Sequence, residues 1–174
     1  MVRNLLYLLI FAATVSGCGS LPAPAPEPAR EPVAAPPPTP IPEPRPFAVR
    51  TEALLQVLLA LGIDYRPGGN SPTTGFDCSG LVAHVFHEAY GIRLPHSARA
   101  QSEAGAPVPQ DKLQAGDLVF YNTLKRPFSH VGIYIGDGKF VHAPRSGAQV
   151  RVEPVRASYW RQRFNGARRI EPGV

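Results

Sequence analysis

The hydrophobic pattern divides the chain into a helical first part and a strand-rich second part. Apolar residues recur at helical spacing after Thr51, which predicts a first helix that Thr51 caps and Gly62 ends. The repeating positions, which are expected to face the core, are Leu54, Val57, Leu58 and Leu61. A second helix is predicted to begin at or near Cys78, and a short third helix is predicted to be capped by Ser97 and to end at Gly105.

The pattern then changes to short apolar runs separated by turn residues. Strands are predicted at residues 117–121, 130–135, 139–142 and 149–152, followed by a short helix at 158–163 and a closing strand at 167–170. Helices that precede a set of sequential strands are typical of the α+β class. The fold class is therefore predicted as α+β, with N-terminal helices packed on an antiparallel β-sheet.

The N-terminus has the features of an export signal. Arg3 precedes an apolar run of 11 residues, 5–15, which is too short to span a bilayer. The run ends in Val15-Ser16-Gly17-Cys18, which resembles the lipobox of bacterial lipoproteins. That resemblance implies a signal peptide over residues 1–17 and a lipid on Cys18 that anchors the protein in the membrane. Because residue 19 is Gly and not Asp, it also implies the outer membrane, facing the periplasm. The alternative is an ordinary cleaved signal.

The segment that follows has an unusual composition, since 12 of the 25 residues from Pro22 to Pro46 are proline. Proline fixes φ and lacks an N–H, so neither a helix nor a sheet is expected here. We interpret residues 18–47 as a lipidated N-terminus and extended linker, with a PxxP ligand as the alternative, and residues 48–172 as the folded domain. The length of 174 residues agrees with one such domain.

Charge changes this interpretation little. The net charge is +5 and the pI about 9.6, but no nucleic-acid-binding motif accompanies the arginines, so no nucleic-acid partner is expected. His84 and His87 lie three residues apart on the predicted second helix without further ligands, so no metal or other cofactor is expected either.

Cys78 is the first candidate for chemistry. The chain has two cysteines, and if Cys18 carries a lipid, Cys78 has no disulfide partner in an oxidising compartment. At a helix start, capped by Asp77, its thiol is expected to have a pKa below the ordinary value of about 8.5. A nucleophile is predicted; the alternative is a small buried core residue.

Two histidines stand at the ends of predicted neighbouring strands. His130 opens one strand and His142 closes the next, so both are expected at the same edge of a hairpin. A thiol nucleophile needs a base and a group that orients that base. The pair would supply both roles, whereas the alternative is two unrelated polar residues at strand ends.

Several segments together resemble the NlpC family of bacterial cell-wall peptidases, which have a papain-like fold. The resemblance covers residues 50–170. Its motifs are Tyr65-Arg66-Pro67-Gly68-Gly69, residues 75–80, Leu94-Pro95-His96-Ser97, residues 115–120, residues 130–136 and Phe140-Val141-His142-Ala143. Pro67 departs from the family, in which a bulkier residue, often Trp, is usual.

The resemblance implies a role for each site residue. Cys78 would be the nucleophile, His130 the general base and His142 the residue that orients His130. Tyr65 would help to form the oxyanion and substrate site with the backbone N–H of Cys78. Asp77 and Ser79 would line the pocket that binds the peptide.

The implied function is peptidoglycan hydrolysis by a monomeric cysteine endopeptidase. It would cut amide bonds in stem peptides or crosslinks of the bacterial cell wall through an acyl-enzyme. The alternatives are a Cys/His acyltransferase of related fold and a non-catalytic wall-binding lipoprotein.

Overall fold

The computed structural model describes the backbone of residues 46–171 and the side chains of residues 51–171. The predicted signal peptide, Cys18 and nearly all of the predicted linker lie outside the described residues. The helices are α1 (Pro46–Ala60), α2 (Cys78–Tyr90), α3 (Ala98–Gln101) and α4 (Ser158–Arg161). The strands are β1 (Asn70–Ser71), β2 (Gly75–Phe76), β3 (Ala106–Val108), β4 (Leu118–Tyr121), β5 (His130–Gly136), β6 (Lys139–His142), β7 (Arg151–Pro154) and β8 (Phe164–Arg169). No helix within residues 46–171 combines the length and the apolar character needed to cross a membrane.

Six strands form one antiparallel sheet in the order β3-β8-β4-β5-β6-β7. Helix α2 packs on β5, and α1 packs on α2. The predicted α+β class, with N-terminal helices on an antiparallel sheet, is therefore confirmed. Strand β8 was expected only as a closing strand, but it lies inside the sheet, between β3 and β4.

Helix α1 differs from its prediction at both the start and the buried face. It begins at Pro46, five residues before the predicted cap Thr51. A proline is well suited to the first helical position, where its missing N–H has no intrahelical partner. The predicted core stripe is wrong for Leu58, which is 59% exposed, and for Leu61, which is 36% exposed. Among the side chains of α1 that the structure describes, from residue 51 onwards, the buried ones are Ala53, Val57 and Ala60.

The sheet buries apolar side chains on both faces. Leu118 and Phe120 of β4 face the helices, together with Val131 and Ile133 of β5. The intervening residues of β4 join a second cluster on the other face, where Trp160 of α4 covers the sheet. A fully buried side chain of this kind contributes about 1.5–3 kcal/mol relative to exposure, so both faces stabilise the strands that hold the site.

Candidate active site

The start of α2 is built around the carboxylate of Asp77. Asp77 is the N-cap, and its Oδ1 accepts hydrogen bonds from the backbone N–H of Gly80 (2.7 Å) and the hydroxyl of Ser79 (3.0 Å). Oδ1 also lies 2.9 Å from His96 Nε2, and Oδ2 accepts from the N–H of Gly68 at 3.0 Å. The predicted cap is confirmed, and these bonds hold the helix start in one orientation.

Cys78 is the first residue of α2 and is half-buried. Its predicted low pKa is wrong for this geometry. Burial and, to a smaller extent, the charge of Asp77 raise the pKa of the thiol to about 11, although backbone hydrogen bonds from Val131, Ser79 and Cys78 itself act in the opposite direction. The desolvation of a buried thiolate therefore outweighs the stabilisation that the helix start provides.

The contact with Val131 places the thiol beside the start of β5, since Val131 directly follows His130. His130 and His142 lie on neighbouring strands, as expected, and their rings are in direct contact. His130 Nε2 is 2.7 Å from His142 Nδ1, with a ring-centroid distance of 5.0 Å. His130 is 4% exposed and His142 is fully buried. The structure thus places the two histidines in contact and brings the backbone of β5 at Val131 to the thiol of Cys78.

Burial sets the protonation of this pair. Burial and, to a smaller extent, the neighbouring His142 lower the pKa of His130 to about 3. Burial also lowers the pKa of His142, against the opposing effect of the Glu153 carboxylate. Both rings are therefore neutral at pH 7, and a neutral imidazole carries one donor and one acceptor nitrogen.

Two residues that the sequence analysis did not single out also contact the histidines. The Trp160 ring stacks on His130, with a centroid distance of 5.7 Å, and meets His142 edge-on at 4.9 Å. Glu153 Oε1 lies 3.6 Å from His142 Nε2. The predicted strand at 149–152 ended one residue before Glu153, whereas β7 extends to Pro154. A longer predicted strand, read for the alternation of its side chains, would have placed Glu153 on one face of the sheet.

The remaining predicted site residues lie around the start of α2. Burial raises the pKa of the Tyr65 phenol, and the charges of Cys78 and Asp77 raise it further, which is consistent with a position near both side chains. Ser79 is buried, and its hydroxyl is directed to Asp77. His96, which the sequence analysis gave no role, reaches the same carboxylate. Within the described part of the chain, no three His, Cys, Asp or Glu side chains cluster in a way that could hold a metal ion.

Comparison with known proteins identifies the family. The model described as the NlpC/P60 family matches residues 62–169 of the chain. The chain belongs to the NlpC/P60 family. The match includes every residue named above at the start of α2 and on the sheet. The NlpC/P60 domain therefore holds the whole candidate site.

Individual NlpC/P60 relatives cover the same region. The chain is 40% identical over 121 residues to murein DD-endopeptidase MepH of Escherichia coli K12, which is 68% of this chain and 45% of that protein. It is 43% identical over 112 residues to gamma-DL-glutamyl hydrolase of Bacillus subtilis 168, covering 64% of this chain and 27% of that protein. The chain thus spans less than half of the length of either relative.

A solved structure agrees with this assignment. A crystal structure of an NlpC/P60 family protein from Bacillus cereus has a TM-score of 0.66 and 34% identity, covering 71% of this chain and 40% of that chain. The predicted family and fold are therefore confirmed together.

Proposed function

We propose that the domain is a cysteine-type peptidoglycan hydrolase that cleaves amide bonds in stem peptides or crosslinks of the bacterial cell wall. The observation that carries this proposal is the buried 2.7 Å contact between His130 and His142, on the strand whose backbone at Val131 hydrogen-bonds to the thiol of Cys78. In this proposal, Cys78 is the nucleophile, His130 is the base and His142 orients that base. A relative named as a murein endopeptidase supports the choice of substrate class.

In the first half-reaction, the Cys78 sulfur attacks the carbonyl carbon of the scissile amide. Because burial disfavours both a free thiolate and a protonated His130, proton transfer accompanies the attack. His130 Nε2 faces His142, so Nδ1 is the nitrogen that accepts the thiol proton. The C–N bond then breaks, the amine leaves with that proton, and the acyl group remains on sulfur.

In the second half-reaction, water attacks the thioester carbon. His130 Nδ1 takes a proton from the water, and the C–S bond breaks to release the new carboxylic acid, which loses its remaining proton to solvent. The proton returns to the Cys78 sulfur, which restores the neutral pair. In both steps, the backbone N–H of Cys78 and the Tyr65 phenol would stabilise the oxyanion, while Asp77 and Ser79 would line the pocket for the peptide.

The activity is tested by digestion of purified muropeptides, followed by mass analysis of the new ends. Wild-type protein is expected to cleave, and Cys78→Ala to be inactive but folded, because this small, half-buried side chain contributes more to chemistry than to packing. Turnover by Cys78→Ala would remove the nucleophile assignment. The masses also identify the bond, which matters because the two relatives are named for a DD-endopeptidase and a gamma-DL-glutamyl hydrolase.

The roles of the two histidines are tested in the same assay. His130→Ala is expected to lose nearly all activity, because His130 exchanges a proton in both half-reactions. His142→Gln should retain measurable activity, since an amide carbonyl accepts a hydrogen bond from the His130 N–H, whereas His142→Ala should lose far more. Full activity of His142→Ala would contradict the orienting role.

We further propose that the protein acts as a monomer anchored by a lipid on Cys18 in the outer membrane, facing the periplasm. The lipobox-like Val15-Ser16-Gly17-Cys18 supports this proposal. Labelled palmitate should be incorporated into the wild type and not into Cys18→Ala. A mature N-terminus at any residue other than 18 would contradict lipidation.

A further inference from the structure

One nitrogen of the orienting histidine has no hydrogen-bond partner within the described residues. His142 Nε2 is completely buried and makes no hydrogen bond to any residue that the structure describes. Glu153 Oε1 is 3.6 Å away, which is too long for a hydrogen bond but close for an electrostatic contact in a buried site. A buried polar atom of this kind calls for a physical explanation.

The carboxylate of Glu153 is held in place from two sides. Trp160 Nε1 donates a hydrogen bond to Oε2, and Arg151 Nε donates to Oε1 at 2.6 Å. Burial raises the pKa of Glu153, but the hydrogen bonds from Trp160 and Arg151 and the proximity of His142 together bring that pKa below its ordinary value. Glu153 is therefore an anion with a fixed orientation, directed towards a fully buried imidazole.

A neutral His142 has two tautomers, and they have opposite consequences for His130. If the proton is on Nε2, it points to the carboxylate, and Nδ1 accepts a hydrogen bond from His130 Nε2–H. His130 Nδ1 then has a free lone pair. If the proton is on His142 Nδ1, that N–H donates a hydrogen bond to His130 Nε2. The proton of His130 must then be on Nδ1, so His130 can no longer take a proton from the thiol. The negative charge of the Glu153 carboxylate favours the tautomer of His142 with the proton on Nε2.

We propose that Glu153 is a positioning residue that acts through His142, because its carboxylate fixes the tautomer that leaves His130 Nδ1 free as the base. The inference rests on the proposed hydrolase function for its effect on turnover, although the tautomer itself does not depend on activity. Arg151 limits the effect of the carboxylate. Its charge lowers the pKa of His142, which helps to keep the ring neutral and not protonated by the nearby anion.

The tautomer is measured directly by NMR of the full chain labelled with 15N-histidine, since the shifts of protonated and unprotonated ring nitrogens differ strongly. In the wild type, His142 is expected to carry its proton on Nε2. In Glu153→Ala, a substantial fraction should carry it on Nδ1. A wild-type proton on Nδ1, or an unchanged tautomer in Glu153→Ala, would overturn the proposal. Glu103→Ala is the matched control, because Glu103 is exposed and pairs with Arg99 on the surface.

A double-mutant cycle on muropeptide hydrolysis separates positioning from simple packing. Glu153→Ala is expected to lower kcat roughly 10- to 100-fold, with little change in KM. This range is taken from metal sites, where removal of the residue that orients a ligating histidine typically causes a loss of about that size. In a His142→Gln background there is no tautomer to fix, so Glu153→Ala should lower kcat less than about threefold further. Equal losses in both backgrounds would show a structural role and refute the proposal.

The two experiments distinguish the failure of this inference from the failure of the proposed function. If the wild type leaves muropeptides intact, the proposed hydrolysis is wrong, and the NMR measurement still decides the role of Glu153. If His142→Gln is too weak for the cycle, the NMR result again decides. If the wild type hydrolyses muropeptides but its His142 tautomer does not respond to Glu153→Ala, only the role of Glu153 is refuted.

Discussion

The buried His130 should make the fold sensitive to acid. His130 is 4% exposed, and burial lowers its pKa to about 3 from an ordinary value of 6.5. The unfolded chain therefore binds a proton at this site first as the pH falls. The resulting stability is fully present above about pH 6.5 and is lost progressively as the pH falls towards 3.

The magnitude follows from the separation of the two pKa values. Each unit corresponds to about 1.4 kcal/mol, so His130 alone accounts for at most about 5 kcal/mol between pH 6.5 and pH 3. At pH 4, the expected loss is about 3 kcal/mol. This is a large share of the roughly 5–15 kcal/mol that stabilises a typical domain.

The perturbation is His130→Gln, which keeps a polar side chain that does not titrate. Urea unfolding followed by circular dichroism at about pH 7.5 and pH 4 gives the pH-dependent loss for each protein. We expect the loss to be smaller in His130→Gln by about 3 kcal/mol. His87→Gln, on the exposed side of α2, is the control and should match the wild type. Equal losses in the wild type and His130→Gln would refute the reasoning.

Three further predictions concern stability and the thiol. Arg169→Met should lower the free energy of unfolding by about 3–5 kcal/mol, because the buried Asp117 carboxylate loses the two 2.8 Å hydrogen bonds that the Arg169 guanidinium donates to it. A loss below about 1 kcal/mol in urea unfolding would contradict this. Gly80→Ala should lower the free energy of unfolding by about 1–3 kcal/mol or more, because its Cβ would lie 2.0 Å from a backbone carbonyl oxygen of the loop before α2, and a melting temperature equal to that of the wild type would exclude the clash. In His130→Gln, the rate of Cys78 alkylation should keep rising up to about pH 11, because the thiolate is the reactive form and burial raises the pKa of the thiol. A plateau near the ordinary thiol pKa would show that burial does not control the pKa of Cys78.

Much of the site was visible in the sequence because its signals are local. Asp77 and Ser97 were predicted as helix caps, and both side chains accept hydrogen bonds from the first turns of their helices. The hairpin that joins β5 and β6 follows from a tight turn between two apolar runs. Its register makes His130 and His142 neighbours, which their spacing around the turn also predicted.

Other features depend on packing between distant segments and were missed or mistaken. The face that α1 buries is decided by how closely it approaches α2, so small alanines are covered while Leu58 stays exposed. The position of β8 inside the sheet depends on pairing across 46 residues with β4, as in the pair Phe120 and Gly166. No local pattern contains that information.

The sequence by itself determined which residue types could carry the chemistry and which elements hold them, because capping, turn and periodicity signals act over a few residues. Only the tertiary structure decided their electrostatic state. The pKa of Cys78 is raised because desolvation outweighs the helix start, and that balance depends on atoms from β5. The carboxylate of Glu153 reaches His142 only because β7 pairs with β6. Burial and strand pairing bring together residues far apart in the chain, which is why these properties could not be read from the sequence.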